Sequence, residues 1–382
     1  MSEIRVDSIG NESNTGGPVL SGITTFSGQQ YFIPPKGNTA ERPSDCPPGS
    51  IRFNTDSAHL EYWQGTVWLE FEASSEHIGV STAAAGESRA GTGVRGVITT
   101  GYTGSRSDAI EYLTISTLGN GVDFGNLTVA RSGNRGGSSR TRALFMGGMN
   151  PSSADVNTID FVTIASTGNA TDFNSDLLHV QRDGVAFSNQ TRALFAGGQA
   201  SNNNTINAIN IATTGITAND FGDLISGLGG MAGCANAVRG IFAGGGSSNV
   251  ISYVTIPSYG NAQDFGDLLG TQEAISGASN PIRGVLAGGS APSPSNSNVI
   301  QFISITTTGN SQDFGDLTAA RQSTMATASP TRAIFAGGAT PSGTNVIDYV
   351  EIMTTGNAVD FGDANVAGWT GDGVSNGHGG LS

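Results

Sequence analysis

Short apolar runs, each five to seven residues long, recur along the chain from about residue 95 and are bounded by Gly, Ser, Thr, Asn or Pro. Residues 332–336 read Arg-Ala-Ile-Phe-Ala, and residues 346–352, Val-Ile-Asp-Tyr-Val-Glu-Ile, alternate apolar and polar side chains. Runs of this length between turn-forming residues are typical of β-strands. No amphipathic helical pattern of useful length occurs, so the sequence predicts an all-β protein.

The runs belong to a unit that occurs six times. Six arginines each open an apolar run, and six Asp-Phe pairs follow at spacings of 49, 48, 44, 49 and 47 residues. The arginines are Arg95, Arg142, Arg192, Arg239, Arg283 and Arg332, and the pairs begin at Asp123, Asp172, Asp220, Asp264, Asp313 and Asp360. A period of 40 to 50 residues is the signature of a propeller or a solenoid. With four predicted strands per unit, the sequence predicts a six-bladed β-propeller.

Recurring residues in the unit suggest local roles. Small residues, as in residues 136–139, 277–279 and 326–329, suit a first strand that lines a crowded axis. A Gly-Gly pair ends the second strand in five units and indicates positive φ angles or close backbone approach. A Gly-Asn pair before the fourth strand favours a type II′ turn. We expect each Phe of the Asp-Phe pairs to pack against the next blade, and each Asp to cap its turn or pair with a nearby repeated Arg.

The unit resembles the kelch repeat over residues 78–382. It shares the diglycine after the second strand, a third strand of the form Val-x-x-Tyr/Phe, and an Arg after the fourth strand at Arg131, Arg182 and Arg321. Phe stands where the kelch repeat usually has Trp. Two segments, residues 86–92 and 370–376, compete to complete the first blade, and the C-terminal one is favoured because it would leave no exposed edge.

Residues 1–75 do not repeat, and we assign them to a small β-rich module apart from the propeller of residues 76–382. Residues 49–68 predict a three-stranded meander with turns near Thr55-Asp56 and Gln64-Gly65. The motifs Thr-Ala-Glu-Arg-Pro (39–43), Gly-Ser-Ile-Arg-Phe-Asn-Thr-Asp (49–56) and Glu-Tyr-Trp-Gln-Gly (61–65) resemble a module of tail-fibre and other virion proteins of tailed phages, cyanophages and marine phages among them. That resemblance implies attachment to other virion proteins.

Composition narrows the function classes. The formal net charge of −14 disfavours nucleic acid as a partner, and no apolar stretch predicts membrane insertion. Six copies of an Asp-Phe pair indicate architecture rather than a kinase motif. The four histidines share no repeat position, and no nucleophile motif or metal-ligand spacing appears. We therefore predict no enzyme, no cofactor and no metal site, and leave calcium binding by the Asp-Phe-Gly-Asp runs open.

The residues that fail to repeat remain as binding candidates. The loops after the diglycines, residues 149–158, 199–205 and 290–299, vary in length and should lie at one end of the propeller. The candidate contacts there are Tyr102, Asn202, Asn203 and Asn204. The leading hypothesis is a virion protein in the tail or neck of a phage, whose propeller recognises a host surface glycan or outer-membrane protein. A purely structural neck, collar or tail component, a glycan depolymerase and a homo-oligomer remain as alternatives.

Overall fold

The protein is described here from a computed structural model, which covers residues 34–57, 59–70, 95–199, 204–291 and 295–378. The chain divides into two compact units, Met1–Ser74 and Ser75–Ser382. Over the described residues both units are built of strands, in seven four-stranded sheets, and the one helical segment there is the 3₁₀ turn Thr39–Glu41. The prediction of an all-β protein is confirmed.

The N-terminal unit contains one mixed sheet. Its strands, in spatial order, are Lys36–Gly37, Ile51–Asn54, His59–Trp63 and Trp68–Glu70. The last three form the predicted antiparallel meander. The first strand, which the sequence did not predict, pairs in parallel with Ile51–Asn54. It is only two residues long and follows Pro34-Pro35, so it carries no alternating apolar pattern that could have revealed it.

The second unit contains six antiparallel sheets, which we number 1 to 6 and whose four strands we call inner, second, third and outer. Sheet 1 consists of Gly373–Ser375, Arg95–Thr99, Ala109–Thr114 and Val122–Asn126; sheet 2 of Arg135–Ser138, Arg142–Met146, Thr158–Thr163 and Thr171–Asp176; sheet 3 of Val185–Ser188, Arg192–Ala196, Thr205–Asn210 and Asn219–Asp223. Sheet 4 consists of Ala232–Ala235, Arg239–Ala243, Val250–Thr255 and Gln263–Asp267; sheet 5 of Ser276–Ser279, Arg283–Ala287, Val299–Ser304 and Gln312–Asp316; sheet 6 of Met325–Ala328, Arg332–Ala336, Val346–Glu351 and Val359–Asp363. A short hairpin, Ser290–Ala291 with Ser295–Asn296, lies between the second and third strands of sheet 5.

Sheet 1 takes its inner strand from the far end of the chain. Gly373–Ser375 pairs with Arg95–Thr99, within the C-terminal segment that the sequence favoured for this position, whereas residues 86–92 lie outside the described residues. Each inner strand contacts the inner strand of the next sheet, and that of sheet 6 contacts that of sheet 1. Small residues permit this approach: a Cβ added to Gly277 would lie 2.4 Å from the carbonyl oxygen of Gly233.

The phenylalanines of the Asp-Phe pairs form the core between neighbouring sheets. All six are at most 3% exposed: Phe124, Phe173, Phe221, Phe265, Phe314 and Phe361. Phe124 of sheet 1, for example, packs with Phe145 and Val162 of sheet 2. The predicted packing against the next sheet is therefore confirmed.

The six repeated arginines do not pair with the Asp-Phe aspartates, so that half of the expectation is wrong. Five of the guanidiniums lie over an aromatic ring in the third strand of their own sheet, as Arg95 does over Tyr112 with its Cζ 4.4 Å from the centroid. The exception is Arg192, which lies over Tyr259 of the next sheet at 4.8 Å. Each guanidinium also donates to a backbone carbonyl of the next sheet, at 2.8 to 3.1 Å in five of the six cases. The series ends with Arg332 of sheet 6 donating to Ile115 of sheet 1. Capping by the aspartate is seen in two copies, where Asp172 and Asp220 accept from the backbone N–H two residues ahead.

The Gly-Asn segments are not type II′ turns, because their glycines have φ angles of 153–157° rather than values near 60°. Instead, each segment docks on the outer strand of the preceding sheet. A Cβ on Gly266 of an Asp-Phe-Gly run would lie 2.5 Å from the carbonyl oxygen of Gly309, and the Asn310 side chain accepts from the N–H of Asp267. The one run with Asn174 in place of glycine faces the one segment without Gly-Asn, at Gly215. Both departures from the repeat therefore occur at a single junction.

A buried polar contact also crosses the junctions. Arg131 and Arg321, which follow the outer strands of sheets 1 and 5, are at most 1% exposed and pair with Asp160 and Asp348 of the next sheet, at 3.1 and 2.8 Å. Burial lowers the pKa of both guanidiniums, against the opposing effect of these aspartates. Arg182 stands one residue further along and pairs instead with Asp155 at 2.7 Å.

The other junctions carry different residues in the same place. Gln181 lies 3.4 Å from Asn207, and Gln272 accepts from Gln301 at 2.7 Å. Between sheets 6 and 1, Gly368 stands in this place, and Oε1 of the buried Glu111 has no hydrogen bond among the described residues. Burial raises the pKa of Glu111. At four of the six junctions, a polar side chain before the inner strand therefore meets a polar side chain of the next sheet's third strand.

Candidate functional site

The irregular loops gather at one end of the six sheets. The loops after the second strands and those leading to the inner strands meet through isolated bridges, such as Ser132 with Met149, Glu273 with Ser290, and Gln322 with Ala339. The opposite end carries the Gly-Asn segments. Sequence variation is therefore concentrated at one end, which we call the loop end.

Six residues in the left-handed region line the centre of the loop end. They occupy one equivalent position in each sheet: Gly133, Asp183, Gly230, Ala274, Ser323 and Thr370, with φ between 53 and 71°. Five backbone hydrogen bonds of 2.7 to 3.2 Å connect them in series, from Gly230 through Asp183, Gly133, Thr370 and Ser323 to Ala274. Four of the six are not glycine, and non-glycine residues held in this conformation cluster at functional sites because the strain must be offset elsewhere.

Five of these residues, all except Gly133, line a depression of about 230 Å³. The side chains lining it come from loops of several sheets and are mostly polar: Arg135, Asp183, Gln199, Glu273, Gln322, Ser323, Trp369 and Thr370. The Arg135 guanidinium lies 3.9 Å from the Asp183 carboxylate and donates to the carbonyl of Gly184. Glu273 accepts a hydrogen bond from the Ser290 hydroxyl at 3.4 Å. The depression is thus lined by one aromatic side chain among groups that donate and groups that accept hydrogen bonds.

Tyr102 holds the single tryptophan of the depression in place. The two residues exchange backbone hydrogen bonds of 2.8 and 3.1 Å, and their rings meet edge to face with centroids 4.9 Å apart. Gly343 packs against the indole as well, since a Cβ there would lie 2.6 Å from its ring atoms. Tyr102 therefore positions Trp369 and does not itself line the depression.

Two smaller cavities of about 50 Å³ each continue inward between the inner strands. The first contains Asp372, whose pKa is raised to about 6 by burial, against the opposing effects of Arg135 and two backbone N–H donors. Thr324, 5% exposed, also lines it, and within the described part of the chain its hydroxyl has no hydrogen-bond partner. The second contains His378, whose pKa is lowered to about 4 by burial and whose Nε2 lies 3.2 Å from the Ser138 carbonyl. The same His378 Nε2 lies 3.3 Å from the Ser188 hydroxyl oxygen.

Sequence reasoning found the loop end but not the residues of the depression. Of its candidates, Tyr102 supports the site, Asn204 is exposed and outside the lining, and Asn202 and Asn203 lie outside the described residues. Trp369 was missed, although it is the only tryptophan after residue 75. Among the described residues no group of three or more His, Cys, Asp or Glu side chains could hold a metal ion.

The N-terminal unit contains a second polar cluster, centred on the buried Glu61. Its Oε2 accepts from Nη2 of Arg42 at 2.6 Å and from Asn54 at 3.3 Å, while Nε of Arg52 lies 3.6 Å from Oε1. Burial acts to raise the pKa of Glu61, but the hydrogen bonds from Arg42 and Asn54 outweigh it, so the pKa is lowered. The three motifs of this region therefore meet in one cluster, which explains why their residues occur together.

Comparisons with known proteins add no family. No protein-family model matches the chain, and no curated protein matches its sequence. Over the described residues, no helix is long and apolar enough to cross a membrane.

Proposed function

We propose that the six sheets are the blades of a closed, kelch-like six-bladed propeller. The proposal is supported by the contact between the inner strands of sheets 6 and 1 and by the donation from Arg332 to Ile115. The hydrogen bond from the Asp363 N–H to the Asn120 side chain repeats, between sheets 6 and 1, the contact that joins other neighbours. Closure of this kind leaves no unpaired inner edge.

We further propose that the chain is a virion protein of a tailed phage, in which the N-terminal unit attaches to other virion proteins and the loop end binds the host surface. One observation carries the binding role: loops that differ in length and sequence surround a polar depression, while the opposite end repeats. A rigid scaffold with variation confined to one end is the arrangement expected of a recognition surface. Several copies per particle would add avidity.

Binding of the fluorescently labelled full-length chain to cultures of cyanobacteria and other marine bacteria tests this role. Saturable binding to at least one strain, competed by unlabelled chain, is expected. An unrelated acidic protein carrying the same label is the control. Binding to no strain, together with antibody labelling of the chain inside the neck or tail of virions, would favour the purely structural alternative. New reducing ends after incubation with host polysaccharide would instead indicate a depolymerase.

A further inference from the structure

We propose that the depression at the loop end binds the terminal pyranose ring of a neutral or amino sugar, with Trp369 as the stacking surface. The inference rests on the proposed role in surface binding and names the chemical class of its ligand. It concerns a site assembled from the loops of several sheets, which no single repeat contains.

The shape of the site favours the end of a glycan over its middle. The depression of about 230 Å³ is smaller than the roughly 300 Å³ at which pockets begin to enclose drug-sized ligands. It also narrows inward, because the cavity that shares Arg135, Ala274 and Ser323 with it holds only about 50 Å³. The buried Thr324 hydroxyl lines that inner cavity and has no partner among the residues that the structure describes, so a ligand hydroxyl or a bridging water there would satisfy it.

The chemistry of the lining fits a sugar. A pyranose has an apolar C–H face and a rim of hydroxyl groups, and the site sets one indole among carboxylates and amides that accept or donate hydrogen bonds. Tyr102 and Gly343 fix the orientation of the indole, so stacking does not require the ring to become ordered on binding. The aromatic group and the polar groups therefore face the same space.

The charge of the lining selects among sugars. Asp183 and Glu273 carry two negative charges against one positive charge on Arg135, and Asp183 lies near both Arg135 and Arg182, at 3.9 and 3.5 Å. Glu273 is the acid whose described contact is a neutral hydroxyl, that of Ser290. A uronic acid would meet this carboxylate with like charge, whereas a sugar amine would be attracted to it.

Saturation-transfer NMR on the full-length chain tests the proposal with a defined set of probes: methyl glycosides of glucose, galactose, N-acetylglucosamine, glucosamine and glucuronic acid, and N-acetyl-lysine methylamide as a non-sugar cation. At least one neutral or amino glycoside should receive saturation, and W369A should reduce it at least tenfold. W369F should retain part of it, E273Q should weaken glucosamine several-fold more than glucose, and W68A in the N-terminal unit should change nothing. Unchanged circular dichroism verifies that each variant is folded.

The outcomes separate this inference from the proposed function. It is overturned if no glycoside receives saturation, if glucuronic acid or the lysine amide binds best, or if W369A binds as the parent does. Should the W369A chain still bind cells, the sugar site is refuted while surface binding stands. Glycoside binding by a chain that binds no cell would keep the sugar site and reject the proposed role.

Discussion

Replacing Arg131 with Gln tests the matching of residues across the junctions. Arg131 Nη2 lies 3.1 Å from Asp160 and donates to the Phe145 carbonyl at 2.9 Å, and both side chains are almost fully buried. R131Q removes the charge that compensates the Asp160 carboxylate. Removing one partner of a buried ion pair costs about 3–5 kcal/mol, because the other charge is left uncompensated.

A second junction of the same chain shows which substitution should compensate for R131Q. Between sheets 2 and 3, Asn207 accepts from the Leu178 N–H at 2.9 Å and donates to the Phe195 carbonyl at 3.2 Å, beside Gln181. Adding D160N to R131Q lets the amide at position 160 make the corresponding bonds to Thr128 and Phe145. We expect the double variant to lie within about 1–2 kcal/mol of the parent, the remainder reflecting the smaller volume of Gln. The double variant should therefore be about 2–3 kcal/mol more stable than R131Q alone, and D160N alone should also be destabilising because it leaves the Arg131 charge uncompensated.

Urea unfolding followed by far-ultraviolet circular dichroism measures the four proteins of this cycle: the parent, R131Q, D160N and the double variant. The slope of the free energy against urea must agree among them, so that midpoints report stability rather than a change in the unfolded state. Equal loss in R131Q and the double variant would refute the matching, since it would show that the shape of Arg131, and not its charge, stabilises the junction.

Three further predictions concern single groups. A274G should raise the free energy of unfolding by about 1 kcal/mol, because glycine adopts the left-handed conformation without strain. A278G, in an inner strand, should lower the free energy of unfolding, and the midpoints of urea unfolding measure both effects. Asp372 has a pKa raised to about 6 in the folded protein, so its contribution to stability is present below pH 3.8 and is lost as pH rises towards 6. His378 has a pKa lowered to about 4, so its contribution to stability is present above pH 6.5 and is lost as pH falls towards 4. Relative to the parent, the stability of D372N should therefore rise with pH in this window and that of H378Q should fall, each by about 1.4 kcal/mol per pH unit at most; parallel profiles would contradict both pKa shifts. Burial raises the pKa of Cys234 to about 12, so a thiol reagent at pH 8 should modify Cys46 but spare Cys234 until urea unfolds the chain, and early loss of both thiols would argue against that burial.

Local patterns predicted the strands well because each lies between turn-forming residues and repeats six times. The packing of Phe124 and its equivalents followed from the same repetition. The role of Arg95 and its equivalents could not be predicted in this way, because these arginines donate to backbone carbonyls, and a pattern of side chains does not reveal a backbone partner. The prediction for the Gly-Asn segments was wrong for a similar reason: their glycine is required by close contact with a neighbouring sheet rather than by the geometry of its own turn.

The candidate site was less predictable. Its residues come from positions that do not repeat, and they converge only when several loops meet. Trp369 and Glu273 lie 96 residues apart in sequence, and neither belongs to a motif. The left-handed position of Ala274 left no signal either, since alanine does not indicate positive φ. Composition could point to the loop end but not to the depression within it.

The contacts across the junctions also bear on how six similar sheets avoid assembling in the wrong order. Arg meets Asp at two junctions, Gln meets Asn at one and Gln meets Gln at another, while the run with Asn174 in place of glycine meets the altered segment at Gly215. A sheet docked beside the wrong neighbour would bury a charge or a polar group without its partner, at a cost of several kcal/mol. The differences between otherwise equivalent units thus specify which sheet packs beside which. During evolution, adding a sheet or changing the order of the sheets would require compensating substitutions on both sides of a junction.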